Sequence, residues 1–212
     1  MITKCRHNVI LIMSDNQPAD LLGCYGNDEV STPHIDGLAA RGMKFANAYC
    51  VNAMCSPCRA SVMTGLMPSQ HGIHNWLDDT LAPHWPHNWS AISEFNTLPQ
   101  MFKQQGYKTA LIGKFHLGIA DVPQLGFDHW VTFPHGHTTS FYGNDVIDQE
   151  QRYRFEGHTV DFLPTKPSTL LRHSLQTNHS LPLCRILALM VIGPRSKGVR
   201  TTNLQIFMMI LR

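Results

Sequence analysis

Asn8-Val9-Ile10-Leu11-Ile12-Met13, followed at once by Ser14-Asp15-Asn16-Gln17-Pro18, decides the fold class. The apolar residues run on without alternation, so the strand they predict is covered on both faces, as in a parallel sheet. The run halts at polar residues. Asp15 and Asn16 therefore sit just past the C-terminal end of a strand, the edge where open α/β sheets take ligands.

The next elements repeat the pattern. Thr32-Pro33 opens a helix, with Thr32 able to cap, Pro33 suited to the first helical position, and Ile35, Leu38 and Ala39 on one face before Gly42. Met43–Tyr49 alternates like a half-buried strand. Residues 75–96, with Trp76, Trp85 and Trp89, read as a long aromatic surface loop. Thr97-Leu98-Pro99 starts a second helix that Gly106 stops, and Tyr107–Ile112 is a strand running into Gly113-Lys114-Phe115-His116-Leu117-Gly118. Strand, helix and strand in alternation predict an α/β fold with a parallel sheet and flanking helices.

The chain has 212 residues, 43% of them hydrophobic and 15% charged, enough for one α/β domain and far from the composition of a disordered chain. No apolar run approaches the length of a membrane-spanning helix, so no membrane association is expected. The net charge of +2 is an average over two unlike parts. Residues 1–161 hold all 15 acidic residues against 10 basic ones, whereas residues 162–212 hold 7 basic residues and no acid. The seven (Lys166, Arg172, Arg185, Arg195, Lys197, Arg200 and Arg212) are spread out and not interleaved with aromatics, which argues against nucleic acid as a partner. Near the N-terminus, Val9–Met13 is too short for a signal-peptide core and lacks a small-residue cleavage site, and six cysteines are too few for a disulfide scaffold. A cytoplasmic location is the expectation.

The chemistry concentrates in Cys55-Ser56-Pro57-Cys58-Arg59-Ala60-Ser61-Val62-Met63-Thr64-Gly65. By spacing alone, Cys50, Cys55 and Cys58 could contribute to a zinc site with His71 or His74, Cys55 and Cys58 could be a redox pair, or all three could pack as small apolar residues. Arg59 lies one helical turn past Cys55 and can share its face. Lys114 and His116 are two apart, so an extended segment would point them to one side.

This segment resembles the sulfatase signature C-x-P-x-R followed by Thr-Gly, carried here by Cys55, Pro57, Arg59, Thr64 and Gly65. Ile10–Asn16 is similar to the family's first metal-binding element. Gly23-Cys24-Tyr25-Gly26 and Thr32–Ala39 look like its usual loop and first helix, and Gly113–Gly118 is similar to its G-K-x-H-x-G element. The resemblance covers residues 7–161 and implies the alkaline-phosphatase-like α/β fold. It further implies hydrolysis of a sulfate monoester, either a small molecule or a sulfated sugar. By this resemblance a maturation enzyme converts Cys55 to formylglycine, whose hydrate attacks sulfur. Asp15, Asn16 and modified Cys55 would hold Ca²⁺, or alternatively Mg²⁺. Arg59 would steady the hydrate, while Lys114 and His116 would bind sulfate and move a proton, with His71 a further substrate contact. His135 and His137 read as loop residues. A phosphonate or phosphate-ester hydrolase sharing the motif is the alternative enzyme, and a non-catalytic cysteine-based zinc or redox fragment the alternative outside that class.

The expected second pair of metal ligands, second sulfate-binding lysine and further catalytic histidine have no counterpart here. The acid-free stretch supplies no carboxylate, and its apolar patches Leu181–Ile192 and Leu204–Leu211 lack clean periodicity. Residues 1–161 thus read as the N-terminal part of a sulfatase catalytic domain. Residues 162–212 read as an atypical basic tail arising from frameshift or truncation, leaving an incomplete fold with little calcium affinity or activity.

Overall fold

The run at 8–13 forms the first strand, β1 (Asn8–Ser14), and its covered position follows from burial of Ile10 and Leu11 on successive residues, with Met13 buried at its end. The structure is a computed structural model. It describes residues 7–15, 17–138 and 140–162 (only the backbone at Asp79 and His135) and the backbone of 185–192 and 206–211. Asn16, one of the expected metal ligands, lies outside the described residues.

Helices α1 (Pro33–Arg41), α2 (Cys55–Thr64), α3 (Pro68–His71) and α4 (Leu98–Gln104) come next. The strands after them are β2 (Tyr107–Gly113), β3 (His129–Thr132), β4 (Tyr142–Asp148), β5 (Gln151–His158), β6 (Arg185–Ile192) and β7 (Ile206–Leu211). They form one sheet in the order β5-β4-β3-β2-β6-β1-β7. The central strands β3, β2, β6 and β1 are parallel, and antiparallel partners close both edges. The sheet is therefore mixed, with the expected parallel order confined to its middle.

The two faces are covered by different groups. Leu11 and Met13 of β1, Leu111 of β2 and Trp130 of β3 pack with Ala60 and Met63 of α2. Ile112, Val131, Phe133, Val146 and Phe162 pack together on a second core, with Tyr153 and Phe155 of β5 against it. Leu111 and Ile112 thus face opposite ways and both are fully buried, which is why β2 ends in the unbroken apolar stretch Ala110–Ile112.

Register fixes the geometry beneath the site. Val191 of β6 pairs with Met13 of β1 on one side and with Gly113 of β2 on the other. Strands β1 and β2 therefore end level, two inter-strand spacings or about 10 Å apart. The spacer between them comes from the acid-free stretch. An unbroken apolar run without period is what a central parallel strand presents, so missing periodicity at 185–192 does not set that stretch apart from the sheet.

Two local expectations are corrected. Met43–Tyr49 is not a strand: Met43, Phe45 and Tyr49 are exposed, and the segment is held by Lys44 Nζ donating to the Cys24 carbonyl and Tyr25 Oη donating to the Phe45 carbonyl. Alternation without a neighbouring strand to pair with makes no strand. Thr32 does precede α1, but its hydroxyl accepts from Gly23 N–H and donates to Asp36 instead of capping the helix. Among the described residues no helix is long and apolar enough to cross a membrane.

Candidate active site

Asp15 and Lys114 are the first residues after β1 and β2, and the level ends of those strands bring them together across β6. Lys114 Nζ spans the gap and donates to Asp15 Oδ2 at 2.6 Å. A long side chain is needed because the strands are not neighbours.

Cys55 enters from above as the first residue of α2. Asn52 Oδ1 accepts from Met54 N–H just before the helix, and Pro57 is tolerated in the first turn, where an amide would have no partner. The buried Ala60 and Met63 dock the helix on the sheet, which points its N-terminus at the strand ends. Lys114 Nζ lies 3.2 Å from Cys55 Sγ. One turn on, Arg59 is 3% exposed, donates from one terminal nitrogen to the Lys114 carbonyl at 2.9 Å and places the other 3.6 Å from Asp15. Two buried cations thus meet one carboxylate and one thiol.

His116 completes the group by a route different from the expected one. Its backbone is not extended but left-handed, at φ 50°, a conformation of the kind held only where the surroundings impose it. Gly136 packs directly against it: a Cβ on that residue would stand 2.6 Å from the His116 amide nitrogen, so the approach needs a glycine there. His116 Nε2 donates to the Leu77 carbonyl at 3.0 Å, and its ring stacks on His137 with centroids 4.5 Å apart. His137, read from sequence as a loop residue, is the neighbour that sequence reasoning did not assign, and Trp76 of the aromatic loop also stands close, its ring centroid 6.3 Å from that of His116.

Burial pushes the Cys55 thiol up, but a side-chain hydrogen bond from His116 and the nearby Lys114 ammonium outweigh it, leaving the thiol at about 6. The first-turn position on α2 works in the same direction. Alkylation of Cys55 by iodoacetamide is therefore expected to reach half its plateau rate near pH 6. Cys24, whose thiol burial pushes up, should follow well above that pH. Because the folded value lies below the unfolded one, this thiolate stabilises the fold at alkaline pH, a contribution lost as pH falls through about 6. Stopped-time alkylation with peptide mapping checks the order.

His71 is not drawn into this group. Its Nδ1 accepts from Ile73 N–H, so its Nε2–H is left to donate to Ser61 Oγ at 3.0 Å, and burial lowers its pKa. Both ring nitrogens are occupied, Nε2 in tying α3 to α2 and Nδ1 in the turn that follows α3. Cys58 does not turn towards Cys55: its sulfur lies 3.1 Å from that of Cys50. Among the described residues no three His, Cys, Asp or Glu side chains gather as a metal site, and the Asp15 carboxylate is already engaged by two cations. As they stand, these residues do not make a calcium site, since a hard cation of that size takes six or more oxygens.

Comparison with known proteins bears on family and fold. The Sulfatase family profile matches residues 7–165. N-acetylglucosamine-6-O-sulfatase of Bacteroides thetaiotaomicron is 32% identical over 79% of this chain, which spans 28% of that relative. Human steryl-sulfatase is 36% identical over 58% of the chain and is spanned to 21% of its length. Among solved structures, a protein in complex with its substrate D-glucosamine-2-N,6-O-disulfate superposes with a TM-score of 0.71 at 28% identity, covering 88% of this chain and 34% of its own. A further structure, from Bacteroides thetaiotaomicron, superposes with a TM-score of 0.76 at 17% identity over 93% of this chain and 46% of its own, a likeness of fold. The fold shared with these neighbours is the alkaline-phosphatase-like α/β fold. The chain spans about a quarter of the curated relatives it matches first, and over three-quarters of its own length their pattern holds: it belongs to the sulfatase family.

Proposed function

We propose that this chain carries the nucleophile and sulfate-binding part of a sulfuric-ester hydrolase whose substrate is a sulfated sugar. The observation that carries the reading is the grouping of half-buried Cys55 and Asp15 with the buried Lys114 and Arg59 at the ends of β1 and β2. The relatives named for N-acetylhexosamine sulfates, and the neighbour solved with a disulfated glucosamine, support the sugar class.

Cleaving a sulfate monoester puts charge on the sulfate oxygens and on the leaving oxygen, so the barrier falls where fixed cations face both. Lys114 is placed to take a sulfate oxygen: its ammonium lies within reach of Cys55 and would share its charge between Asp15 and the anion. Arg59, held by the Lys114 carbonyl, adds positive charge without moving. His116 is held beside Cys55 by Leu77 and His137, where its ring can give a proton to the leaving alcohol oxygen as the sulfur–oxygen bond breaks. Conversion of Cys55 to formylglycine would supply an aldehyde hydrate as the nucleophile. Asp15 would offer a divalent cation a carboxylate oxygen.

Sulfate binding can be read on the chain itself. Inorganic sulfate at pH 7 is expected to slow alkylation of unmodified Cys55 severalfold while leaving Cys24 unaffected. Equal rates with and without sulfate would contradict the assignment of this cluster as the anion site.

A further inference from the structure

The cluster above uses one cysteine of the three in the segment 50–58. The other two are brought together by the fold and have no part in it. Cys50 precedes α2 in an irregular stretch and is half-buried, whereas Cys58 lies in the first turns of the helix and is 3% exposed. Their sulfurs stand 3.1 Å apart, in contact but unbonded, and all four cysteines among the described residues are free thiols. Cys55 meanwhile faces the other way, with its sulfur at Lys114. The spacing in the sequence offers Cys55 with Cys58 as one possible pair; the helix separates those two and brings Cys50 to Cys58.

We propose that Cys50 and Cys58 are a disulfide-forming pair, oxidised by a low-molecular-weight disulfide, which ties the segment entering α2 to the helix and leaves Cys55 the one thiol of the segment outside the bond. A disulfide needs its sulfurs about 2 Å apart, so a closing movement of about 1 Å joins these two. Cys50 is the accessible member and reacts first. Its thiolate attacks one sulfur of the small disulfide and expels the other half as a thiolate. Cys58 then gives its proton to solvent, attacks the Cys50 sulfur and expels the second half. Two protein thiols have lost two electrons and two protons, and the small disulfide has become two thiols. The bond would also constrain the unfolded chain across the loop it closes.

The test is an equilibrium of the full chain with oxidised and reduced glutathione at set ratios. After acid quench, free thiols are blocked with N-ethylmaleimide under denaturing conditions, and the chain is then reduced and labelled with iodoacetamide. Trypsin leaves Cys50, Cys55 and Cys58 in one peptide, residues 45–59, and fragment ions assign each label. The expected pattern at oxidising ratios is iodoacetamide label on Cys50 and Cys58 with N-ethylmaleimide on Cys55, and a rise in the urea midpoint of the oxidised chain. In Cys50→Ser, a half-buried position chosen to spare the core, the cross-link and the rise in midpoint should both vanish while Cys55 keeps its free-thiol label. A disulfide between Cys55 and Cys58 would overturn the proposal. So would a lasting glutathione adduct on Cys50 with Cys58 free, or no intramolecular disulfide in oxidised glutathione alone.

Discussion

Ala188→Pro is expected to destabilise the chain by about 3 kcal/mol or more and to disorder the site. Ala188 is the midpoint of β6, pairing with Ile10 of β1 and Ala110 of β2. Proline there removes a ladder hydrogen bond and forces its ring between two parallel neighbours, a position from which central strands exclude it. The consequence reaches the chemistry, because β6 is the spacer that sets the distance from Asp15 to Lys114. Urea unfolding should show the loss, and the low-pH alkylation of Cys55 should revert towards that of an ordinary thiol. A silent substitution would mean that the acid-free stretch contributes nothing to the sheet.

Lys114→Met should cost about 3 kcal/mol and weaken every property assigned to the cluster. The ion pair it breaks is buried on both sides, with Lys114 and Asp15 side chains 6% and 10% exposed. Removing the ammonium strands most of the Asp15 charge, although Arg59 at 3.6 Å retains part of its compensation. Methionine nearly matches the length of lysine, so the loss reports charge and not volume. Three readouts should move together: the unfolding midpoint falls, the Cys55 alkylation midpoint rises from about 6, and protection by sulfate disappears. Lys108→Met on β2, at an exposed position, should stay within about 0.5 kcal/mol of the parent protein. If Lys114→Met behaved like that control, Lys114 would have no part in an anion site.

Much of this is legible in the residues themselves, and what is not has a common cause. The apolar runs at 9–13 and 110–112 mark strands covered on both faces, and the polar residues that follow them mark the edge where the site lies. The helical turn between Cys55 and Arg59 is a property of local geometry, and both side chains do meet Lys114. Long-range pairing has no such local trace. Residues 185–192 insert between β1 and β2 across a large sequence separation, and the β4–β5 hairpin gave no strong turn signal. Met43–Tyr49 shows the converse, alternating correctly but lacking a partner strand. His116 reaches Cys55 through a left-handed backbone packed against Gly136, which no local pattern announces. Two-residue spacing predicts the correct neighbours for the wrong reason there. His71 carried a family position, yet its ring is consumed in joining α3 to α2 and in the turn that follows α3, which pattern alone does not reveal.

The central claim is that Cys55 is the nucleophile position, singled out from Cys50 and Cys58 by its place at the cation cluster. It is tested most directly by the mass of the tryptic peptide 45–59 from chain co-expressed with a formylglycine-generating enzyme. The account expects sulfur and two hydrogens at Cys55 to be exchanged for one oxygen, giving an aldehyde that a hydrazide reagent traps, while Cys50 and Cys58 keep their sulfur. A peptide with all three sulfurs retained, or with the aldehyde at Cys58, would contradict it.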